Sequence, residues 1–276
     1  MTGPKWAVAT ERGRYYRDPA GGPDLISVTN CLSAIAKPAL TPWAAGMTAD
    51  AVIADPIAVA RRARTEPAAL RRELVAVHRQ YTERAQNLGT RVHNRAQAQV
   101  LGVPYPDDDE VEPYARQLAR WFRLWQIDLG ADVEAVETTV MHRQYGYAGT
   151  GDLWVWLPTG RYRRRQLWLV DYKTSAEKPV DTVYDEQPLQ LAGLRHAPEW
   201  LLPDDTSERA PRPHRTALLN LRPRGHAFIE VPSGIEQFRA FLAAMRTARY
   251  LHSAPSAYPT VVPPWAPGAT DTRKAA

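Results

Sequence analysis

Cysteine and long apolar runs are nearly absent from this sequence of 276 residues. The single thiol, Cys31, excludes a disulfide within the chain and an iron–sulfur cluster with four cysteines from this chain, and it fits a reducing compartment. No stretch approaches the roughly 20 apolar residues of a membrane-spanning helix. The N-terminus also lacks the basic-then-apolar pattern of a secretory signal. We therefore expect a cytoplasmic protein with no membrane partner.

Lysine is scarce as well, since only five of the 35 basic residues are lysines and the other 30 are arginines. The formal charge of +5 and the pI near 9.4 favour a polyanionic partner. Heavy use of Arg, Ala and Pro equally fits a GC-rich genome. Because 44% of the residues are hydrophobic, the chain has enough apolar material for a packed core.

Two apolar runs in the middle of the chain predict a β-hairpin. Leu153–Leu157 and Leu167–Val170 flank a polar, arginine-rich segment that contains a glycine. Antiparallel pairing about that segment would bring Asp152, before one strand, beside Asp171 and Lys173 at the end of the other. Residues two apart on a strand share a face, so Asp171 and Lys173 should project together.

This convergence of two carboxylates and an ammonium predicts a site for a divalent cation. Burying such charges costs several kcal/mol each unless they bind something, and Mg²⁺ prefers oxygen ligands. A lone Asp-x-Lys is more often a surface ion pair. In this arginine-rich chain, a surface position that needs only a positive charge would more often hold arginine, so a lysine here favours the cation site. In addition, Gly149-Thr150-Gly151 before Asp152 permits close approach of a ligand or of backbone.

The same residues resemble the PD-(D/E)XK nuclease superfamily, and within it the RecB-like and Cas4-like phage exonuclease branch, without its iron–sulfur cysteines. The matching motifs are Gly149-Thr150-Gly151-Asp152, Asp171-Tyr172-Lys173-Thr174 and Gln190, although Leu194 stands where a tyrosine is usual after that glutamine. The resemblance implies Mg²⁺ or Mn²⁺ held by Asp152, Asp171 and the carbonyl of Tyr172. It implies catalytic roles for Asp152, Asp171, Lys173 and Gln190.

Two residues further upstream extend the resemblance. Gly89-Thr90-Arg91-Val92-His93 resembles the family's helix that supplies a histidine ligand, and Glu137 resembles the acidic residue before the hairpin, with a catalytic role. Each has an alternative interpretation, because His93 could simply pack its helix and Glu137 could occupy a polar strand face. Asn87-Leu88-Gly89 predicts the end of one helix and Thr90 the cap of the next, which places His93 in a first turn.

Three more elements are predicted downstream of the hairpin. A helix runs from about Glu186 to His196, and a second hairpin pairs Thr216–Leu221 with His226–Val231. The last helix spans Ile235–Leu251, with Ser233 as its cap.

The expected fold is α/β, with a restriction-endonuclease-like core in which helices flank a central mixed β-sheet, and with an N-terminal helical elaboration. We expect one domain over residues 1–254, with a helical region at 1–130 and the catalytic core, second hairpin and last helix at 131–254. Residues 255–276 are predicted to form a disordered tail because they are rich in Pro and Ala.

The expected function is that of a metal-dependent DNA nuclease, an exonuclease hydrolysing phosphodiester bonds in phage or bacterial DNA recombination or replication. The resemblance implies DNA as partner, allows a recombination or replication protein as another, and places a phage-encoded chain in the host cytoplasm. One alternative is a catalytically inactive DNA-binding or structural module of the same fold. Another is a non-nucleolytic enzyme with an Asp/Lys pair, for which the chain offers no nucleotide-binding glycine loop or nucleophile motif.

Overall fold

The computed structural model describes residues 4–258, 260, 261, 263 and 265. The predicted disordered tail lies largely outside these residues. Among the helices of the described part, none combines the length and apolar character needed to cross a bilayer.

The structure is α/β, with one mixed sheet flanked by helices, as the sequence predicts at this level. Its strands are β1 (Ala7–Thr10), β2 (Gly13–Tyr16), β3 (Leu25–Ser27), β4 (Val133–His142), β5 (Tyr147–Thr159), β6 (Arg164–Thr174), β7 (Glu199–Leu201), β8 (Ser207–Arg209), β9 (Arg215–Arg222) and β10 (Gly225–Glu230). The region before residue 130 therefore contributes three strands to this sheet as well as helices.

Strand β5 is the centre of the sheet because it pairs with three others. It is antiparallel to β4 along one edge. On its other edge it is parallel to β3 at Tyr147 and Ala148, and antiparallel to β6 from Leu153 to Thr159. Residues 149–152 therefore face a gap on that edge, while β6 continues beyond Val170 in parallel pairing with β9. We call this gap, where β5 and β6 diverge, the fork.

Helices cover both faces of the sheet. They are α1 (Val28–Cys31), α2 (Leu40–Ala54), α3 (Pro56–Thr65), α4 (Pro67–Leu101), α5 (Glu112–Leu124), α6 (Gln187–His196) and α7 (Ile235–Ser253), with a 3-10 turn at Leu32–Ala34. On one face, α6 and α7 bury Leu191 and Phe241 against the sheet. On the other, α4 and α5 bury Val92 and Trp121. Each such side chain contributes roughly 1.5–3 kcal/mol through the apolar surface it buries, so the sheet is held as a middle layer.

Helix α4 corrects the prediction that one helix ends at Gly89 and another begins at Thr90. It runs unbroken from Pro67 to Leu101, and His93 lies well inside it. A glycine inside a helix costs about 1 kcal/mol relative to alanine, which packing of the helix offsets. Gly89 also permits a close approach, because a Cβ there would lie 3.3 Å from Oγ1 of Thr174, the last residue of β6. The glycine thus fits α4 against the end of the strand that carries Lys173.

The predicted cap of the last helix is also wrong. Gly234 is the N-cap of α7, and its N–H donates to Oε1 of Gln237 at 3.0 Å. The buried Ser233 hydroxyl instead lies 2.7 Å from the hydroxyl of Thr216, and accepts from Arg195 at 3.0 Å. A serine near a helix start has several backbone and side-chain partners within reach, and here the strand and α6 offer better ones.

The packing over Gly151 in β5 gives a test of the core. A Cβ at this position would overlap the indole of Trp154 and lie 3.1 Å from Cδ1 of Leu169, both of which are buried. We expect Gly151→Ala to lower the free energy of unfolding by about 1–3 kcal/mol, the usual cost of overpacking, as measured by urea denaturation.

Gly46→Ala in α2 is the matched control, because nothing lies within 4 Å of a Cβ placed there. That variant should gain about 0.5–1 kcal/mol from helix propensity. Equal stability of the two variants would contradict the described packing around β5.

Candidate metal centre

The fork brings Asp152 and Asp171 to the same level of the sheet. The last β5–β6 pair is Leu153 with Val170, so the next residues outward are the two aspartates. The hairpin prediction expects the two aspartates to lie side by side in this way. Pairing of the apolar runs sets the register of β5 and β6, and that register places the charged residues at the strand ends next to each other.

Side-chain alternation along β5 breaks at Asp152. A Cβ on Gly149 would lie 2.7 Å from Cδ2 of Leu194, so this part of the strand faces α6. Trp154, three residues after Gly151, also faces α6, although strict alternation would place residues three apart on opposite faces. Leu153 packs in the apolar cluster beneath α4. The irregularity turns Asp152 towards α4, whereas Asp171 stays on the α6 face in line with Leu169. The carboxylates of Asp152 and Asp171 therefore face helices on opposite sides of the sheet.

Three side chains form a cluster of metal-ligand atoms on the α4 side of the fork. Nδ1 of His93 lies 3.3 Å from Oδ1 of Asp152 and 3.6 Å from Oε1 of Glu137. One ligand atom from each residue lies within 4.8 Å of the other two. The side chains of His93 and Glu137 are 29% and 20% exposed, whereas that of Asp152 is buried.

Glu137 occupies a strained position in this cluster. It lies across from Asp152, between the pairs Val136–Leu153 and Thr138–Gly151, and its φ is +47°. Left-handed backbone in a non-glycine residue costs of order 1–3 kcal/mol and persists only where the surrounding structure enforces it. Burial, reinforced by the charge of Asp152, raises the pKa of Glu137 to about 7 although His93 opposes the shift. Among the described residues, its buried Oε1 has no hydrogen-bond partner.

His93 and Asp152 stabilise each other as an ion pair. Burial alone would lower the pKa of His93, but the carboxylates of Asp152 and Glu137 raise it well above its usual value. Burial alone would raise the pKa of Asp152, but His93, Lys173 and the N–H of Tyr172 hold it below its usual range. The charged imidazolium occupies the place that a cation would take among these carboxylates.

Tyr172 contributes its backbone to the fork. Its N–H, which cannot reach β5 where the strands diverge, donates to Oδ2 of Asp152 at 2.6 Å. The N–H and carbonyl of a strand residue point to the same side, so the carbonyl of Tyr172 is also directed into the fork. The ring lies on the α4 face, edge-on to His93 with centroids 5.8 Å apart. The carbonyl that was predicted as a backbone ligand thus shares the fork with the carboxylate of Asp152.

Asp171, Lys173 and Gln190 form a second polar network on the α6 side. Nζ of Lys173 lies 2.5 Å from Oδ2 of Asp171, in an ion pair without the geometry of a hydrogen bond. The ammonium donates to Oε1 of Gln190 at 3.0 Å, and Nε2 of Gln190 donates to Oδ1 of Asp171 at 2.9 Å. Burial raises the pKa of Asp171, Lys173 opposes the shift, and the charge of Asp152 adds to it. Gln190 therefore fixes both charged groups.

Two residues that sequence reasoning missed hold the segment after Lys173. The guanidinium of Arg222 donates to the carbonyls of Lys173, Lys178 and Pro179 at 2.7–3.0 Å. Asn220, fully buried opposite Lys173 in β9, donates to the carbonyls of Val180 and Thr182. The sequence could have indicated Asn220, because an asparagine inside the apolar run 217–221 is expected to be buried, and a buried amide needs hydrogen-bond partners.

These residues fit a divalent cation. His93, Glu137 and Asp152 offer a nitrogen and carboxylate oxygens, the donor types that Mn²⁺ and Mg²⁺ accept. Oε1 of Glu137 is buried and accepts no hydrogen bond from the described residues, with Nδ1 of His93 3.6 Å away, so a bound cation would supply the partner that this oxygen lacks. The structure gathers Glu137 into this cluster and turns Asp171 towards Lys173, whereas the resemblance groups Asp171 with the ligands.

No protein-family model matches this chain, and no curated protein shows significant similarity to its sequence.

His93 provides the sharpest test of the cluster. We expect His93→Ala to weaken Mn²⁺ binding at least about tenfold, because a ligand is lost, as measured by isothermal titration calorimetry. His78→Ala, on the same helix but outside the fork, should bind Mn²⁺ as the wild type does.

If His93 only packs α4, its alanine variant will instead lose thermal stability to the same extent with and without Mn²⁺. Unchanged Mn²⁺ affinity in that variant would remove His93 from the ligand set.

Proposed function

We propose that this protein is a metal-dependent nuclease that hydrolyses phosphodiester bonds. The observation that carries the proposal is the fork, where two strands diverge and bring Asp152, Asp171 and Lys173 together with His93 from one helix and Gln190 from another. Five polar groups from four segments converge although packing alone does not require it. Perturbed ionisable groups concentrated in this way are typical of functional sites.

The fold belongs to the same proposal. A mixed sheet whose central hairpin opens at two aspartates, with helices on both faces, is compatible with a restriction-endonuclease-like core. In that arrangement residues 131–254 form the catalytic core, and α2, α3 and the first part of α4 form the elaboration.

Each side chain has a definable role in hydrolysis. His93, Glu137 and Asp152 would hold Mg²⁺ or Mn²⁺ together with the carbonyl of Tyr172, and Asp171 would join them from the other side of the fork. A bound ion of this kind polarises a phosphoryl oxygen and lowers the pKa of a water molecule.

Lys173 acts on the reacting phosphate or on the attacking water. Its ammonium is held between Asp171 and Gln190, so it is oriented before substrate arrives and needs no reorganisation to meet growing negative charge. Gln190 positions both partners and serves as a positioning residue. Arg222, by tying the carbonyl of Lys173, keeps the end of β6 in place.

The substrate that fits this proposal best is DNA, cut as an exonuclease would cut it, in phage or bacterial recombination or replication. The net positive charge supports a polyanionic substrate, and the motif resemblance supplies DNA and the exonuclease mode. An inactive DNA-binding module remains the competing interpretation, and the complete Asp152, Asp171 and Lys173 set argues against it, because binding alone needs no such set.

Substitution in the α6-side network tests activity directly. Asp171→Ala and Lys173→Ala should each lower cleavage about 10²-fold or more while leaving DNA binding near the wild-type level, because affinity comes mostly from dispersed phosphate contacts. Lys173→Arg should also lose cleavage activity, since a planar guanidinium cannot replace a compact ammonium in a tight site.

Lys178→Ala is the matched control, an exposed lysine five residues away in the loop after β6. It should cleave normally. Near wild-type cleavage by Asp171→Ala or Lys173→Ala would refute the catalytic assignment. The assay should include end-labelled linear DNA and circular DNA, because an exonuclease degrades only the linear substrate.

A further inference from the structure

A second cluster of charged side chains lies away from the fork, near the first residues of β6 and the last residues of α6. An open cavity of about 640 Å³ is lined there by Arg195 at the end of α6, Arg212, and Arg215 at the start of β9, with Gln166 and Glu230. Gln166 and Asp171 are five residues apart on β6, so the cavity lies roughly 17 Å from the fork at 3.3 Å per strand residue. The nuclease chemistry proposed above does not use these side chains.

One of the three arginines is neutralised. Nη1 of Arg215 lies 2.8 Å from both carboxylate oxygens of Glu230, and its Nε donates to Oε1 of Gln166 at 2.8 Å. This ion pair, in which one nitrogen donates to both carboxylate oxygens, forms one wall of the cavity and supplies its negative group.

Arg195 is fixed without a counter-charge. Its guanidinium donates to the carbonyls of Pro213 and His214 at 3.0 and 3.1 Å and to the hydroxyl of Ser233 at 3.0 Å. Burial and the nearby charge of Arg212 lower the pKa of Arg195. Within the described part of the chain, no carboxylate lies within 4.0 Å of Arg195 or Arg212.

Arg212 is the exposed cation of the cavity. Its Nη2 lies 3.3 Å from Nε2 of His196, whose ring stacks on Phe238 with centroids 4.4 Å apart. Burial, with the charge of Arg212, lowers the pKa of His196 to about 4. The imidazole is therefore uncharged at pH 7, and it adds neither positive nor negative charge beside Arg212. Two guanidinium groups thus face one cavity in mutual repulsion, which an anion between them would relieve.

We propose that this cavity is a binding site for a phosphate group, gripped by Arg212 and Arg195. Guanidinium groups suit phosphate because their planar donors match its oxygens in pairs. The bound group is either free phosphate or a backbone phosphate of a nucleic acid. The second source rests on the proposed nuclease function: at 3.4 Å per base pair, a duplex in the fork reaches the cavity about five base pairs away.

Arg212→Gln is the test variant, because Arg212 is exposed whereas Arg195 ties backbone carbonyls together. Arg224→Gln, an exposed arginine in the β9–β10 turn, removes the same charge away from the cavity. The first assay measures Tm against inorganic phosphate, with chloride holding the ionic strength constant. The second measures fluorescence anisotropy of a short DNA oligonucleotide in EDTA, so that no cleavage occurs.

We expect phosphate to raise the Tm of the wild type and of Arg224→Gln but not that of Arg212→Gln. If the ligand is a backbone phosphate, Arg212→Gln should also bind the oligonucleotide about tenfold more weakly than Arg224→Gln. A loss confined to the phosphate assay identifies free phosphate as the ligand.

Equal behaviour of the two variants in both assays would overturn the site. That failure would leave the fork untouched, because neither assay depends on cleavage or on metal. Conversely, near wild-type cleavage by the fork variants would refute the proposed nuclease function without changing the phosphate result.

Discussion

The divergence of β5 and β6 is the constraint on which the rest of the fork depends. Where two strands separate, their backbone groups lose ladder partners and must find others. Here the N–H of Tyr172 takes a carboxylate oxygen of Asp152 in place of a strand carbonyl. That single bond fixes the aspartate and leaves the adjacent carbonyl directed into the opening. Neutral side chains could have closed a purely structural fork, and the charged groups found here are those that the proposed metal site would require.

Charge balance explains why the fork is arranged as two networks. Asp152 and Asp171 would repel one another in a buried site, and each is given its own cation, His93 on one face and Lys173 on the other. Glu137 is the carboxylate left over, and its pKa near 7 reflects burial among negative charges. A bound cation would favour the charged form of this carboxylate. The left-handed backbone of Glu137 lowers the stability of the fold, and binding of a ligand at this position would offset that loss.

The sequence predicts the central hairpin well because apolar content, turn residues and register are local properties. The α6 helix and the second hairpin follow for the same reason, and their observed bounds are close to those predicted. The path of α4 was not predictable locally. Gly89 lies inside this helix at a close approach to Thr174, which comes some eighty-five residues later in the chain. Glu137 likewise enters the ligand cluster through a backbone irregularity, which strand alternation cannot reveal.

Crystals grown with Mn²⁺ would test the central claim most directly, because anomalous scattering locates the ion without reference to activity. The account predicts one anomalous peak in the fork, about 2.0–2.3 Å from a ring nitrogen of His93 and from carboxylate oxygens of Asp152 and Glu137. The imidazole should then have lost its proton, and the carbonyl of Tyr172 should lie on the ion's open side. A fork that stays free of Mn²⁺ at millimolar concentration, with His93 still paired to Asp152, would contradict it.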